Sequence, residues 1–123
     1  MGELKILKLK DGDDVIESLK EFASKNNIQQ GYIKEAEGKI RDFEISAFSG
    51  GGSIQNYRDK NQQDVIAING QITLSKGNPV IQLKISVSRA GLSAVSGLLL
   101  SAKAGETLDI AIEKRDMSKM IYA

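Results

Sequence analysis

Four groups of residues in this chain have types and spacings that could do chemistry. Gln82, Lys84, Ser86 and Ser88 alternate with Ile81, Leu83, Ile85 and Val87, and Arg89 follows them. In an extended strand that alternation puts the four polar side chains on one face, where with Arg89 they would make a polar pocket or a basic strip. Lys84 is the nucleophile candidate in this stretch, provided that burial depresses its pKa. Glu35 and Glu37 flank Ala36 and share a face, as a pair that holds a hard cation or shuttles protons would. With Lys34 and Lys39 beside them, a solvated strand face is the better reading. Gly50, Gly51 and Gly52 could cradle a phosphate through backbone N–H groups, but no helix pattern follows them, so a plain flexible loop is preferred. Lys5, Lys8 and Lys10 could touch phosphates. They lack the interleaved aromatics and arginines of nucleic-acid readers, and a solvated strand edge explains them as well. Arg58, in a polar stretch, is the one obvious residue for reading a base edge.

The inventory excludes more than it offers. The 123 residues contain no His and no Cys. Disulfides, thiolate nucleophiles, a Ser-His-Asp triad and a zinc-activated water are therefore excluded. Acid–base work would fall to Asp, Glu, Lys or Tyr. Seventeen basic and 16 acidic residues give a net charge of +1, without the basic excess of a dedicated DNA-binding domain. Met1 to Lys10 has neither an apolar core nor a cleavage site, so it does not read as a signal peptide. The longest apolar run, around Leu98 to Leu100, is too short to span a membrane. A cytoplasmic location and one domain over residues 1–123 are expected.

These groups need elements to hold them. Leu4, Ile6, Leu7 and Leu9 among lysines predict a strand with a bulge where the alternation slips between Ile6 and Leu7. Asp11 or Asp13 is expected to cap a helix, with Asp14 and Glu17 in its first turn. Val15, Leu19, Phe22 and Ala23 give that helix one apolar face, and Asn26-Asn27 ends it. From Ile28 on the period is 2. Phe43, Ile45 and Ala47 form one apolar series; Ile66, Ile68, Gly70, Ile72 and Leu74 form the next. Ile81 to Val87 and Leu108, Ile110 and Ile112 complete the pattern of strands buried on one face. Ser75 to Pro79 predicts a tight hairpin. Asn56 to Asp64 is expected as a polar loop, and Ala90 to Gly97 as a short helix or a loop. The fold class is α+β: a mostly antiparallel β-sheet with one principal helix packed on it.

At the hairpin the sequence resembles a known family. Asp64-Val65-Ile66-Ala67-Ile68-Asn69-Gly70, then Gly77-Asn78-Pro79-Val80-Ile81-Gln82-Leu83-Lys84, is similar to the PPC domain. That domain stands alone in bacteria and archaea and is fused to AT-hook segments in land plants. Its pattern is an acidic residue and an apolar strand leading to Gly, then Gly-x-Pro, His-x-His and a Gly-Gly-His stretch. Gly12, Gly31, Gly38 and Gly97 extend the likeness over nearly the whole chain, and Asp64 takes the place of the acidic residue. The paired histidines correspond to Gln82 and Lys84, and the third to Leu98, so the family's metal ligands are absent and no cofactor is expected.

The resemblance implies a homotrimer and carries the label "DNA-binding". No Arg-Gly-Arg-Pro hook is present, so the expected role is a non-enzymatic interaction or regulatory module. Its partner would be another protein or DNA, the latter bound weakly and without sequence preference, and no membrane is involved. A small-ligand pocket at subunit contacts near Asp64, Gln82, Lys84 and Arg89 is the alternative. An enzyme using Lys84 with Asp64 or a Glu is the third reading.

Overall fold

A computed structural model describes residues 3–48, 54–89 and 92–115. Its elements run β1 (Glu3–Lys10), α1 (Val15–Lys25), β2 (Gln30–Phe48), β3 (Ile54–Asp59), β4 (Gln63–Ser75), β5 (Asn78–Arg89) and β6 (Leu92–Lys114). Every strand pairing is antiparallel, in the order β1-β6-β5-β4-β2-β3, and β2 also pairs with β6. Strands β2, β4, β5 and β6 therefore close a ring of pairings. Register shifts along the β2–β6 seam bend these long strands, as bulges do.

Local chemistry explains the helix. Asp14 caps it, its side chain accepting the Glu17 N–H at 2.9 Å. At the other end the Ile28 N–H donates to the Ala23 carbonyl and the Asn27 N–H to the Ser24 carbonyl, with Asn27 at φ 53°. That is a Schellman ending with Asn in the left-handed position. Val15, Leu19 and Ala23 are buried, and the helix packs against β1, β5 and β6. The core beneath is aliphatic, with Ile33, Ile40, Ile45, Ile72, Leu83 and Leu108 nearly sealed from solvent and Phe43 as its only fully buried aromatic among the described residues. The predicted hairpin is present: Ser75 faces Asn78 across Lys76 (φ 53°) and Gly77 (φ 83°), a two-residue turn with both φ positive.

Five expectations need correction. The helix is capped by Asp14 rather than by Asp11 or Asp13, whose carboxylates accept instead from Arg41 and from the Lys10 N–H. β1 pairs with β6 residue for residue without a bulge. The alternation slips because Leu7 and Leu9 face the helix side while Leu4 and Ile6 are exposed on the other. The polar stretch from Asn56 is not a loop throughout. Ile54–Asp59 is strand β3, paired with Phe43–Phe48, and Tyr57 packs on Phe43 with ring centroids 6.1 Å apart. Leu92 to Gly97 is neither helix nor loop but the start of β6, opposite β5. Ile66 is 58% exposed rather than buried. A register shift between Val65 and Ala67 changes the phase of β4, so Val65 packs on the core instead. Gly50 to Gly52, Ala90 and Gly91 lie outside the described residues.

Candidate functional site

The outward faces of β4, β5 and β6 meet in rows fixed by register. Gln71 faces Gln82, Asn69 faces Lys84, and Lys84 faces Leu98 on its other side. Ser86 lies between Ala67 and Ser96 in the next row, and its Oγ is 2.6 Å from that of Ser96. Two cavities open along these rows. One, of about 520 Å³, is lined by Tyr32, Lys34, Gln71 and Gln82. The other, of about 620 Å³, is lined by Ala47, Ile54, Ala67 and the two serines. Asn69, Lys84 and Leu98 line both, so the two form one trough with a polar end, an apolar end and an ammonium between them.

The floor of the trough needs Gly97. A Cβ there would lie 2.2 Å from the Ser46 carbonyl oxygen and 2.9 Å from Ile45, closer than packed atoms allow. The missing side chain lets β6 pass against β2. At the polar end Lys34 pairs with Glu113 at 3.8 Å and sits 5.6 Å from the centre of the Tyr32 ring, which Arg115 also approaches at 5.2 Å. Lys84 takes part in no ion pair among the described residues. No carboxylate lines either cavity.

Of the residues singled out from the sequence, Gln82 and Lys84 are brought together here, and Leu98 joins them. Asp64 and Arg89 are not among the residues lining the trough. Asp64 donates its N–H to Ser88 Oγ at 3.2 Å, and Arg89 stacks 5.2 Å from the Tyr57 ring while donating to the Ser93 carbonyl at 2.6 Å. The β1 lysines divide between the two faces of the strand. Lys5 points to the helix side, opposite Ile112, and pairs with Glu3 at 3.0 Å. Lys8 lines a hollow of about 380 Å³ with Ile6, Glu35, Glu37 and Asp109. Lys10 lies further along β1, where its N–H donates to Asp13. Arg58 is taken up by Glu44 at 3.3 Å, which also accepts from Asn56 at 2.7 Å. The sequence reading missed Tyr32, Lys34, Asn69 and Gln71. Asn69 and Gln71 carry a usable signal, being the polar alternates of the apolar series Ile68, Gly70 and Ile72.

The model of the Plants and Prokaryotes Conserved (PCC) domain matches residues 1–115. This chain belongs to the PCC family. No curated protein matches it, but solved structures share the fold. A "putative DNA-binding protein" from Bacteroides thetaiotaomicron superposes with a TM-score of 0.80 at 21% identity, covering 94% of this chain and 81% of the other. A plant- and prokaryote-conserved (PPC) protein from Pyrococcus horikoshii gives 0.78 at 18%, over 92% and 78%. A metal-containing protein from Archaeoglobus fulgidus gives 0.78 at 18%, over 92% and 79%. The resemblance seen in the hairpin residues therefore holds across the PCC domain. A metal does not fit the residues of this trough. Gln82, Lys84 and Leu98 line one cavity, but an ammonium, an amide and an isobutyl group are no donor set for a transition metal. Among the described residues no cluster of three His, Cys, Asp or Glu is placed to hold one, and no helix is long and apolar enough to cross a membrane.

Proposed function

We propose that the whole chain acts as one PCC unit, a cytoplasmic non-enzymatic interaction module that assembles as a homotrimer. The supporting observation is a set of uncovered apolar side chains on β3, β5 and β6. Leu98, Leu100 and Val80 are each at least 40% exposed, and Ile54, in the wall of the trough, is 64% exposed. Large apolar side chains left exposed in this number favour cover by another subunit or a partner. Light scattering after size exclusion is expected to give three times the 13.3 kDa chain mass. A monomer at micromolar concentration overturns the trimer.

Two of the similar structures carry "putative DNA-binding" names. For this chain any direct DNA contact is weak and insensitive to sequence. Lys5 lies on the opposite face of β1 from Lys8 and Lys10, Lys8 sits among carboxylates, and Arg58 is paired with Glu44. With so few phosphates neutralised, affinity is expected to fall with salt at a shallow slope, about −0.9 per contact. Fluorescence anisotropy on random and AT-rich duplexes tests this; tight, sequence-selective binding at physiological salt overturns it.

A second reading, small-ligand binding, is favoured by the two adjoining cavities that share Asn69, Lys84 and Leu98.

A further inference from the structure

We infer that the trough binds a small amphipathic anion: a single carboxylate head at Lys84 and an aliphatic tail along Leu98, Ala67 and Ile54. This rests on the small-ligand reading above and adds the chemical class. The polar end supplies Lys84, Lys34 and the side-chain amides of Asn69, Gln71 and Gln82. These are N–H donors with no carboxylate among them to compete. A lone ammonium flanked by amides is suited to a carboxylate through charge-assisted hydrogen bonds. It repels metal cations. It also disfavours a purely apolar occupant, which would strip water from the ammonium without replacing it.

One full cation suits one negative charge better than a polyanion. Lys34 already shares its charge with Glu113, which leaves Lys84 as the cation without a carboxylate partner among the described residues. Beyond Lys84 the lining is mainly apolar, with Leu98, Ala67, Ala47 and Ile54 around the Ser86–Ser96 hydroxyl pair. Leu98 lines both ends, so a straight chain can leave the head group along it, past two serine hydroxyls that are already bonded to each other. Cavities of this size hold small metabolites rather than macromolecules.

The test uses the full chain in its native assembly and octanoate as the probe. Binding is followed by isothermal titration and by the amide NMR shifts of Asn69, Lys84 and Leu98. Octanoate is expected to saturate the trough. Acetate, which has the head alone, and 1-octanol, which has the tail alone, are each expected to bind roughly tenfold more weakly or worse. Lys84→Gln is expected to weaken octanoate by roughly tenfold and to leave 1-octanol unchanged. Because Lys84 is exposed, this variant keeps the fold, which circular dichroism checks. Leu98→Ser is the second variant and is expected to weaken octanoate and octanol together. If octanol binds as well as octanoate and Lys84→Gln changes neither, the trough is a ligand site but not an anion site, and this inference falls alone. If no probe shifts the trough resonances, the small-ligand reading falls and takes the inference with it.

Discussion

The hollow beside β1 and the trough on β4 and β5 are built alike, from alternate residues of antiparallel strands, yet they carry opposite charge. In the hollow, Lys8 faces Asp109 on one side of β6, and Glu37 faces the same Asp109 on the other. Three carboxylates thus surround one ammonium. In the trough, Lys84 faces Asn69 and Leu98, and no carboxylate lines the space. The lysine-rich segment is the neutralised one, and the isolated lysine keeps its charge. Net local charge in a sheet is set by the strands on either side, which are distant in sequence, and cross-strand partners matter more than chain neighbours.

The comparison can be broken most severely at the trough floor. Gly97→Val is expected to cost about 3 kcal/mol or more, since β6 cannot move away from Ser46 without opening its pairing with β2. Urea denaturation measures this, and a loss below about 1 kcal/mol would mean the strands part there easily. Reversal of each lysine comes next. Lys84→Glu is expected to weaken octanoate by roughly tenfold or more, whereas Lys8→Glu leaves titration curves unchanged. In stability the order is inverted. Lys8→Glu adds a fourth carboxylate to the hollow and is expected to cost about 0.5–1 kcal/mol, against less than about 0.5 kcal/mol for Lys84→Glu.

The smallest effect concerns a carboxylate outside both sites. Asp11 accepts from Arg41 at 3.2 Å and from the Glu106 N–H at 3.2 Å. The bond from Arg41 holds its carboxyl below the ordinary value of 3.8. A lowered folded-state pKa means that the stabilisation is present above that ordinary value and lost as pH falls through the lowered one. The stability difference between the native chain and Asp11→Asn is therefore expected to shrink as acid is added below pH 3.8. A difference that stays constant would show that the pair does not act through charge.

The elements whose signals are local were legible in the sequence. The acidic run before Val15 marks the start of α1 to within a few residues, although the cap is Asp14 and not Asp11 or Asp13; Asn26-Asn27 marks its end, and Lys76-Gly77 marks the hairpin. The apolar alternation of β5 gave the outward row of Gln82 and Lys84. What escaped depended on long-range pairing. Asn56-Tyr57-Arg58-Asp59 has polar composition, but Tyr57 buries part of its ring against Phe43, and β2 supplies the ladder. Leu92 to Gly97, rich in Ser, Ala and Gly, is a strand because β5 lies beside it. Ile66 faces outward because of one shift of register near Val65. The trough was half visible, since β5 contributes Gln82 and Lys84. Tyr32 and Lys34 reach it from β2, whose register with β4 brings Tyr32 opposite Gln71.

β6 bonds to β1, β2 and β5, and the first of these partners lies far back in the chain: Glu3 faces Lys114. During synthesis β1 therefore waits for a partner that leaves the ribosome on the order of ten seconds later, at the usual pace of elongation. Through that interval the segment carrying Leu4, Ile6, Leu7 and Leu9 lacks its β6 partner. The lysines interleaved with them, Lys5, Lys8 and Lys10, keep that strand charged while it is alone and discourage it from pairing with another nascent chain. In the finished sheet β1 is an end strand, so the same lysines go on guarding an edge after the fold exists.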